Sequence, residues 1–385
     1  MVTRRTIPYS KGLRRKGRTF RRIHQTRRKF ATFMFRFALL VTKTQSRYNM
    51  THWLAAKTVL AVALLTCLLP WVLTAQDVVN SPYVVSGATG NVPSLAVITG
   101  QTSTEGPSLA VFNGKLFMAW TGTDSNHSIN VAESYDGLHF GSPVVFLNNS
   151  SVWYAAPAIA AFNGKLYLTW TGYWAHINIA SSTDGLHFSH QSLVTDPNTG
   201  AVQTANGSTA LAAVNGKLYV AWSGTDGVNT INVATSTDGV HFTHPYLYTE
   251  LGHGSPWSPA LGANNHGMTV AFTSVPVGEQ PCRRVYGLPV PGSGGGISFL
   301  LPACPPGSYN TGPGLGALGT ETFVIWVGTA QADEVIIDAF GTTHTETHTG
   351  QTAIGNPAIV GFNGHVYYAW TGTDGAHTIN VAQFQ

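Results

Sequence analysis

Positive charge is almost missing from most of this chain. Sixteen of its 21 Lys and Arg lie in residues 1–76, which hold no Asp or Glu, so residues 77–385 carry five basic side chains against all 17 acidic ones, a formal charge near −12. A body this acidic lacks the basic face that replaces phosphate counterions, which excludes nucleic acid as its partner. Charged residues of both signs make up 10% of the 385 residues, against about a quarter in ordinary soluble domains. Cysteine is scarce too, at three residues, which rules out a disulfide-dense scaffold. No Gly-x-Ser-x-Gly elbow and no phosphate loop is present. His127, His176 and His377 fall one per repeat, without the close ligand spacing of a zinc site. No metal and no cofactor is expected.

What is present begins with a leader. Residues 1–49 are Arg-rich, with Arg14-Arg15, Arg21-Arg22 and Arg27-Arg28. They read either as a basic arm or as an extension ahead of a true start at Met50. Residues 50–76 then give Lys57, an apolar run over 59–73 broken by Thr66 and Pro70, and a small-residue end at Thr74-Ala75. That order is a secretory signal peptide, with an uncleaved N-terminal anchor as the alternative and a lipid-modified Cys67 as a remote one. An exported, extracytoplasmic protein follows, secreted or held at the cell surface, touching a membrane only through this segment.

The body, 77–385, is repetitive, and the chain as a whole is rich in glycine and aromatics (42 Gly; 11% Phe, Trp and Tyr). GKLFMAWTGTD, GKLYLTWTGYW, GKLYVAWSGTD and GHVYYAWTGTD recur, and Trp120, Trp170, Trp222, Phe272, Trp326 and Trp370 mark six copies. Each copy divides into four short strands. Asn113-Gly114, Asn163-Gly164, Asn215-Gly216 and Asn363-Gly364 supply the first turn, because both central positions of a type I′ hairpin need positive φ. Asp136-Gly137, Asp184-Gly185 and Asp238-Gly239 precede the fourth strand, expected to begin at His-Phe. A period near 50 with four strands per unit predicts an all-β, six-bladed β-propeller of four-stranded antiparallel blades; a β-sandwich is the competing architecture. The sixth copy lacks its fourth strand, and residues 92–100 are expected to supply it beside 379–381, closing the ring through paired termini. A Pro/Gly-rich insertion at about 277–310 holds Cys282 and Cys304, which in an exported protein read as one disulfide, with a free pair as the alternative.

The segments SYDGLHF (134–140), STDGLHF (182–188) and STDGVHF (236–242) resemble a shortened Asp-box of sialidase-like propellers. The resemblance covers about 280 residues and implies the fold more than the function, since Asp-boxes are usually structural. Sialidases hold the substrate carboxylate with three arginines, whereas this body has only Arg283 and Arg284, adjacent and inside the insertion. Fucose-binding six-bladed lectins are similar in length and blade count, but they use an arginine in each site.

Candidate ligand contacts lie on the loops opposite the Asn-Gly turns. Asp124 with His127, Asp226 with Asn229 and Asp374 with His377 form an acid followed three residues later by an imidazole or amide, a pairing suited to sugar hydroxyls. Turn chemistry alone also accounts for the Asp-Gly pairs. Trp153, Trp174 and Trp257 offer flat faces for stacking. The buried-type Trp of each copy is assigned to packing between blades. The first expectation is a non-catalytic, monomeric propeller binding a glycan or another extracellular ligand. A glycoside hydrolase is the second, with Glu105, Glu250, Asp333 and Glu334 as the acids from which a catalytic pair would come. A protein–protein scaffold is the third.

Overall fold

The computed structural model describes Val84–Val85 and residues 94–147, 155–248, 254–265, 267–274, 284–302, 311–328, 333–340 and 344–384. The leader, Trp153, Glu250, Cys282 and Cys304 lie outside them.

The four Asn-Gly pairs adopt the geometry their sequence demands: φ is 49° and 73° at Asn113-Gly114, 46° and 71° at Asn163-Gly164, 51° and 70° at Asn215-Gly216, and 49° and 80° at Asn363-Gly364. Each joins the first two strands of a meander. Two strands precede the meanders, β1 (Val84–Val85) and β2 (Leu95–Thr102). The first sheet is β3 (Ser108–Phe112), β4 (Lys115–Thr121), β5 (Ile129–Ser134) and β6 (Val144–Leu147). The second is β7 (Ala158–Phe162), β8 (Lys165–Thr171), β9 (Ile177–Ser182) and β10 (Ser189–Leu193). The third is β11 (Ala210–Val214), β12 (Lys217–Ser223), β13 (Ile231–Ser236) and β14 (Tyr246–Tyr248). The fourth is β15 (Ala260–Asn264), β16 (Gly267–Thr273), β17 (Arg284–Pro289) and β18 (Phe299–Pro302). All four are antiparallel and in chain order.

An eight-stranded sheet completes the body: β19 (Gly314–Leu318), β20 (Glu321–Gly328), β21 (Glu334–Phe340), β22 (His344–Phe362), β23 (His365–Gly372), β24 (Thr378–Phe384) and then β2, with β1 parallel to β22. The 19-residue β22 pairs with β21 through its first part and with β23 through its second. β2 lies antiparallel to β24, with Ala96 opposite Val381 and Val97 opposite Asn380.

Two expectations change. Within the segment expected as an insertion, Arg284–Pro289 and Phe299–Pro302 are strands, β17 and β18, hidden by Pro, Gly and the loss of an Asp-Gly turn. The fourth strand does not begin at His-Phe. It begins at Val144, Ser189 and Tyr246, because His139, His187 and His241 are still held by the Asp of the preceding turn.

The second strand of each meander is buried on both faces, as in KLFMAWT with pattern iBBBBBB, which is why it reads as a continuous apolar run. Its aromatic packs across to the neighbouring sheet. Trp170 lies among Ile129, Val131 and Phe112 of the first sheet, and Trp222 among Ala158, Ile179 and Val194 of the second. Trp120 packs with Ile98, Ala369, Ile379 and Val381, from β2, β23 and β24. Truncating such a Trp to Ala costs about 3–5 kcal/mol.

A second contact repeats between sheets. Gly137, Gly185 and Gly239 lie in the left-handed region with φ of 87°, 90° and 79°. A Cβ there would sit 2.4 Å from the Tyr367 ring, 2.4 Å from Phe117 and 2.3 Å from Tyr167, each on the adjoining sheet. Only glycine meets both conditions. Tyr367 Oη also donates to Asp136 O at 2.8 Å, and Tyr167 Oη to Asp238 O at 3.2 Å.

Candidate functional site

In a meander, alternate connections share an edge. The Asn-Gly and Asp-Gly turns therefore occupy one face, and the loops carrying the candidate residues occupy the other, called here the front. On the turn face, Asp136 Oδ1 accepts N–H groups of Leu138 and His139 at 2.9 and 2.8 Å and the Ser134 hydroxyl at 3.0 Å, while Oδ2 meets His139 Nδ1 at 2.6 Å. Asp184 and Asp238 repeat every bond. The His N–H and side chain and the other donors hold these carboxyls well below their usual range.

The front loops use their aspartates in a similar way. Asp124 accepts from Asn126 N–H at 3.0 Å, Ser128 N–H at 3.1 Å and Ser128 Oγ at 3.0 Å. Asp226 accepts from the N–H and hydroxyl of Thr230, and Asp374 from those of Thr378. Partial burial works against ionisation of Asp124 and Asp226, but these donors outweigh it; the Thr378 N–H leads at Asp374, and all three carboxyls fall below their usual value. The acids thus find their partner four residues on.

The residue three on has a backbone task. His127, Asn229 and His377 have φ of 48°, 55° and 56°, a region that His and Asn enter more readily than most side chains. This turns the carbonyl outward. Ser103 N–H donates to His377 O at 3.0 Å and Ser255 N–H to Asn229 O at 2.9 Å. Ala205 N–H donates to Ala175 O, and Ala353 N–H to Asp333 O, both at 2.9 Å, with φ of 61° at Ala175 and 67° at Asp333. Each bond ties a front loop to the segment entering the next first strand. Hydroxyls ending the second strands add to it: Thr121 Oγ1 donates to Ala155 O at 2.8 Å, Thr171 Oγ1 to Gly207 O at 2.6 Å, and Thr371 Oγ1 to Glu105 O at 2.6 Å.

The sequence reading missed a hydroxyl pair on this face. Thr102 and Thr123, Thr204 and Thr225, and Thr352 and Thr373 share hydrogen bonds of 2.6 Å, each 21 residues apart and exposed. The constant spacing was the signal. The sequence reading also found no dinucleotide fingerprint, although Gly314-x-Gly316-x-x-Gly319 has that spacing; it lies on β19 and its hairpin and runs into the strand β20 rather than a helix.

The starts of β3, β7, β11, β15 and β19 and the second part of β22 line one cavity of ≈ 120 Å³, from Pro107, Pro157, Thr209, Pro259, Pro313 and Pro357 inward. That is room for a few waters at about 30 Å³ each. None of its lining residues is a carboxylate. Glu105 lies just outside its front end, with Oε2 placed so that a Cβ at Gly355 would be 2.9 Å away. Burial pushes the Glu105 carboxyl up from 4.5 to about 7. Glu334 lies on the third strand of its meander, bonded to His348 Nδ1 at 3.0 Å and to Gly350 N–H at 3.0 Å, with Glu346 on the other His348 nitrogen at 3.1 Å. The bond from Glu334 raises His348 above its ordinary value. Asp333 is exposed and Trp257 half-buried. Glu105 thus sits in the connection from β2 to β3, while Glu334 opens β21 and is held by His348 and Gly350.

No family model matches this chain, and no curated protein does. Solved structures do. AofleA from Arthrobotrys oligospora is similar at a TM-score of 0.52 and 12% identity, over 79% of this chain and 90% of that one. The SapL1 lectin in complex with alpha methyl fucoside gives 0.53 and 12%, over 74% and 94%. A protein of unknown function from Dyadobacter fermentans DSM 18053 gives 0.51 and 13%, over 75% and 97%. The body is a β-propeller of four-stranded antiparallel blades. At these identities the likeness is one of fold.

Proposed function

We propose that this chain is an exported, monomeric, six-bladed propeller that binds carbohydrate on its front face without cleaving it. On this reading the eight-stranded sheet is the fifth and sixth blades, run together by β22, and β2 closes the ring as the outer strand of the sixth. The six strand segments around one cavity and the Trp120 cluster support that count. The turns at 134–140, 182–188 and 236–242 are shortened Asp-boxes, acting as clamps between blades.

The observation that carries the binding reading is the use of the acids. Asp124, Asp226 and Asp374 are spent on their own loops and Glu334 on His348 and Gly350, while exposed threonine pairs and aromatics remain on the front. A glycosidase needs two carboxyls facing one bond. Hydroxyls and aromatic faces suit neutral sugars, and the lectin of the same fold that holds a fucoside is consistent with that class. One observation favours the enzyme reading: Glu105 near 7 is in the range of a general acid. The test is a glycan array on the purified full chain, run beside chromogenic glycosides. Retention of a glycan without chromophore release supports the proposal; release that Glu105→Gln abolishes supports the enzyme.

A further inference from the structure

The front loop of the second blade departs from its counterparts. Where the first, third and sixth blades carry an Asp, it reads Tyr173-Trp174-Ala175-His176, a single 3-10 turn. Trp174 and Ala175 are consecutive non-glycine residues in the left-handed region, at φ of 62° and 61°. A bulky aromatic in that region is a true outlier, and such strain gathers at functional sites. Here its result is display: Trp174 is 83% exposed and Tyr173 59%. By contrast Trp120, Trp170, Trp222 and Trp370 are at most 2% exposed.

The surrounding backbone keeps the turn in place. Gly172 N–H donates to His176 O at 2.8 Å, Ile177 N–H to Gln203 O at 3.0 Å, and Ala205 N–H to Ala175 O at 2.9 Å. His176 bridges Thr204, whose hydroxyl shares the 2.6 Å bond with Thr225 of the third blade. Beside it Asn206 Nδ2 donates to Asn229 Oδ1 at 2.8 Å. A rigid aromatic ledge thus adjoins a shelf of hydroxyl and amide groups that carries no cation. Indole faces take the C–H side of a pyranose while neighbouring hydroxyls and amides meet its ring oxygens and OH groups.

We propose that Tyr173 and Trp174, with Thr204 and Thr225, form a single saccharide subsite for a neutral pyranose, present once on the ring rather than once per blade. This rests on the carbohydrate reading above and assigns it a place. The test titrates the full chain, by calorimetry and tryptophan fluorescence, with the neutral oligosaccharide the array retains best, or with cellohexaose, mannohexaose and xylohexaose if the array retains none. Trp174→Gly removes the indole while suiting φ of 62°, so the variant should fold with an unchanged or higher melting temperature. It should weaken Kd at least tenfold, Trp174→Phe less than fivefold, and the native chain should bind about one ligand with altered Trp fluorescence. A Trp174→Gly variant that binds as tightly as the native chain overturns the subsite and leaves the carbohydrate reading standing. A native chain that binds none of these sugars overturns both.

Discussion

The carbonyl of His377 accepts the backbone N–H of Ser103 at 3.0 Å, joining the last front loop to the segment that enters the first meander. His377 reaches it only because its φ is 56°. The role is therefore one of backbone shape. His377→Gly should leave stability unchanged or slightly raised, and His377→Val should lose about 1–2 kcal/mol. Urea denaturation of the two variants checks this. Equal losses in both would return the role to the imidazole.

The inter-blade clamp makes a sharper prediction. Gly185→Ala places a methyl 2.4 Å from the buried Phe117 ring as well as straining φ of 90°, and should cost about 2–4 kcal/mol. Gly114→Ala also strains a positive φ but meets nothing within 4 Å, and should cost about 1 kcal/mol. Similar losses at both positions would remove packing from the explanation.

Much of this was legible in the sequence, and the reason is repetition. Asn-Gly and Asp-Gly mark turns whose φ values only a few residues supply, so the four regular copies could be divided into strands by reading. The fourth and fifth copies lack those pairs, and β17, β18 and the long β22 stayed hidden. The front-loop bonding was less legible: Asp374 accepts from the N–H and hydroxyl of Thr378 while His377 offers its carbonyl to Ser103, and a carbonyl leaves no mark in side-chain identity except tolerance of positive φ. Trp174 stood out as an aromatic in a loop; its strained backbone did not.

Glu105 gives a pH signature. Its carboxyl titrates near 7 in the folded chain and near 4.5 unfolded, so between those values the unfolded chain releases a proton that the folded chain keeps. Stability is full below pH 4.5 and falls as pH rises through about 7, by about 3 kcal/mol at most. Glu105→Gln should flatten that slope and be the more stable form at pH 8. Melting temperatures at pH 4.5, 6 and 8 measure it; parallel slopes in both proteins would place the carboxyl in water.

Cys282 and Cys304 lie outside the described residues and are the two cysteines of the body that follows the leader, so in exported protein they should be disulfide-bonded. Thiol titration under denaturation should find neither free, and the Cys282→Ser, Cys304→Ser double variant should lose about 2–4 kcal/mol. Two free thiols would contradict the pairing.

The measurement that tests the central claim most directly is mass spectrometry of the best-retained oligosaccharide after prolonged incubation with the full chain. The account predicts a saturable complex whose sugar is recovered at its original length. Shortened sugar that accumulates in proportion to protein and time would contradict it.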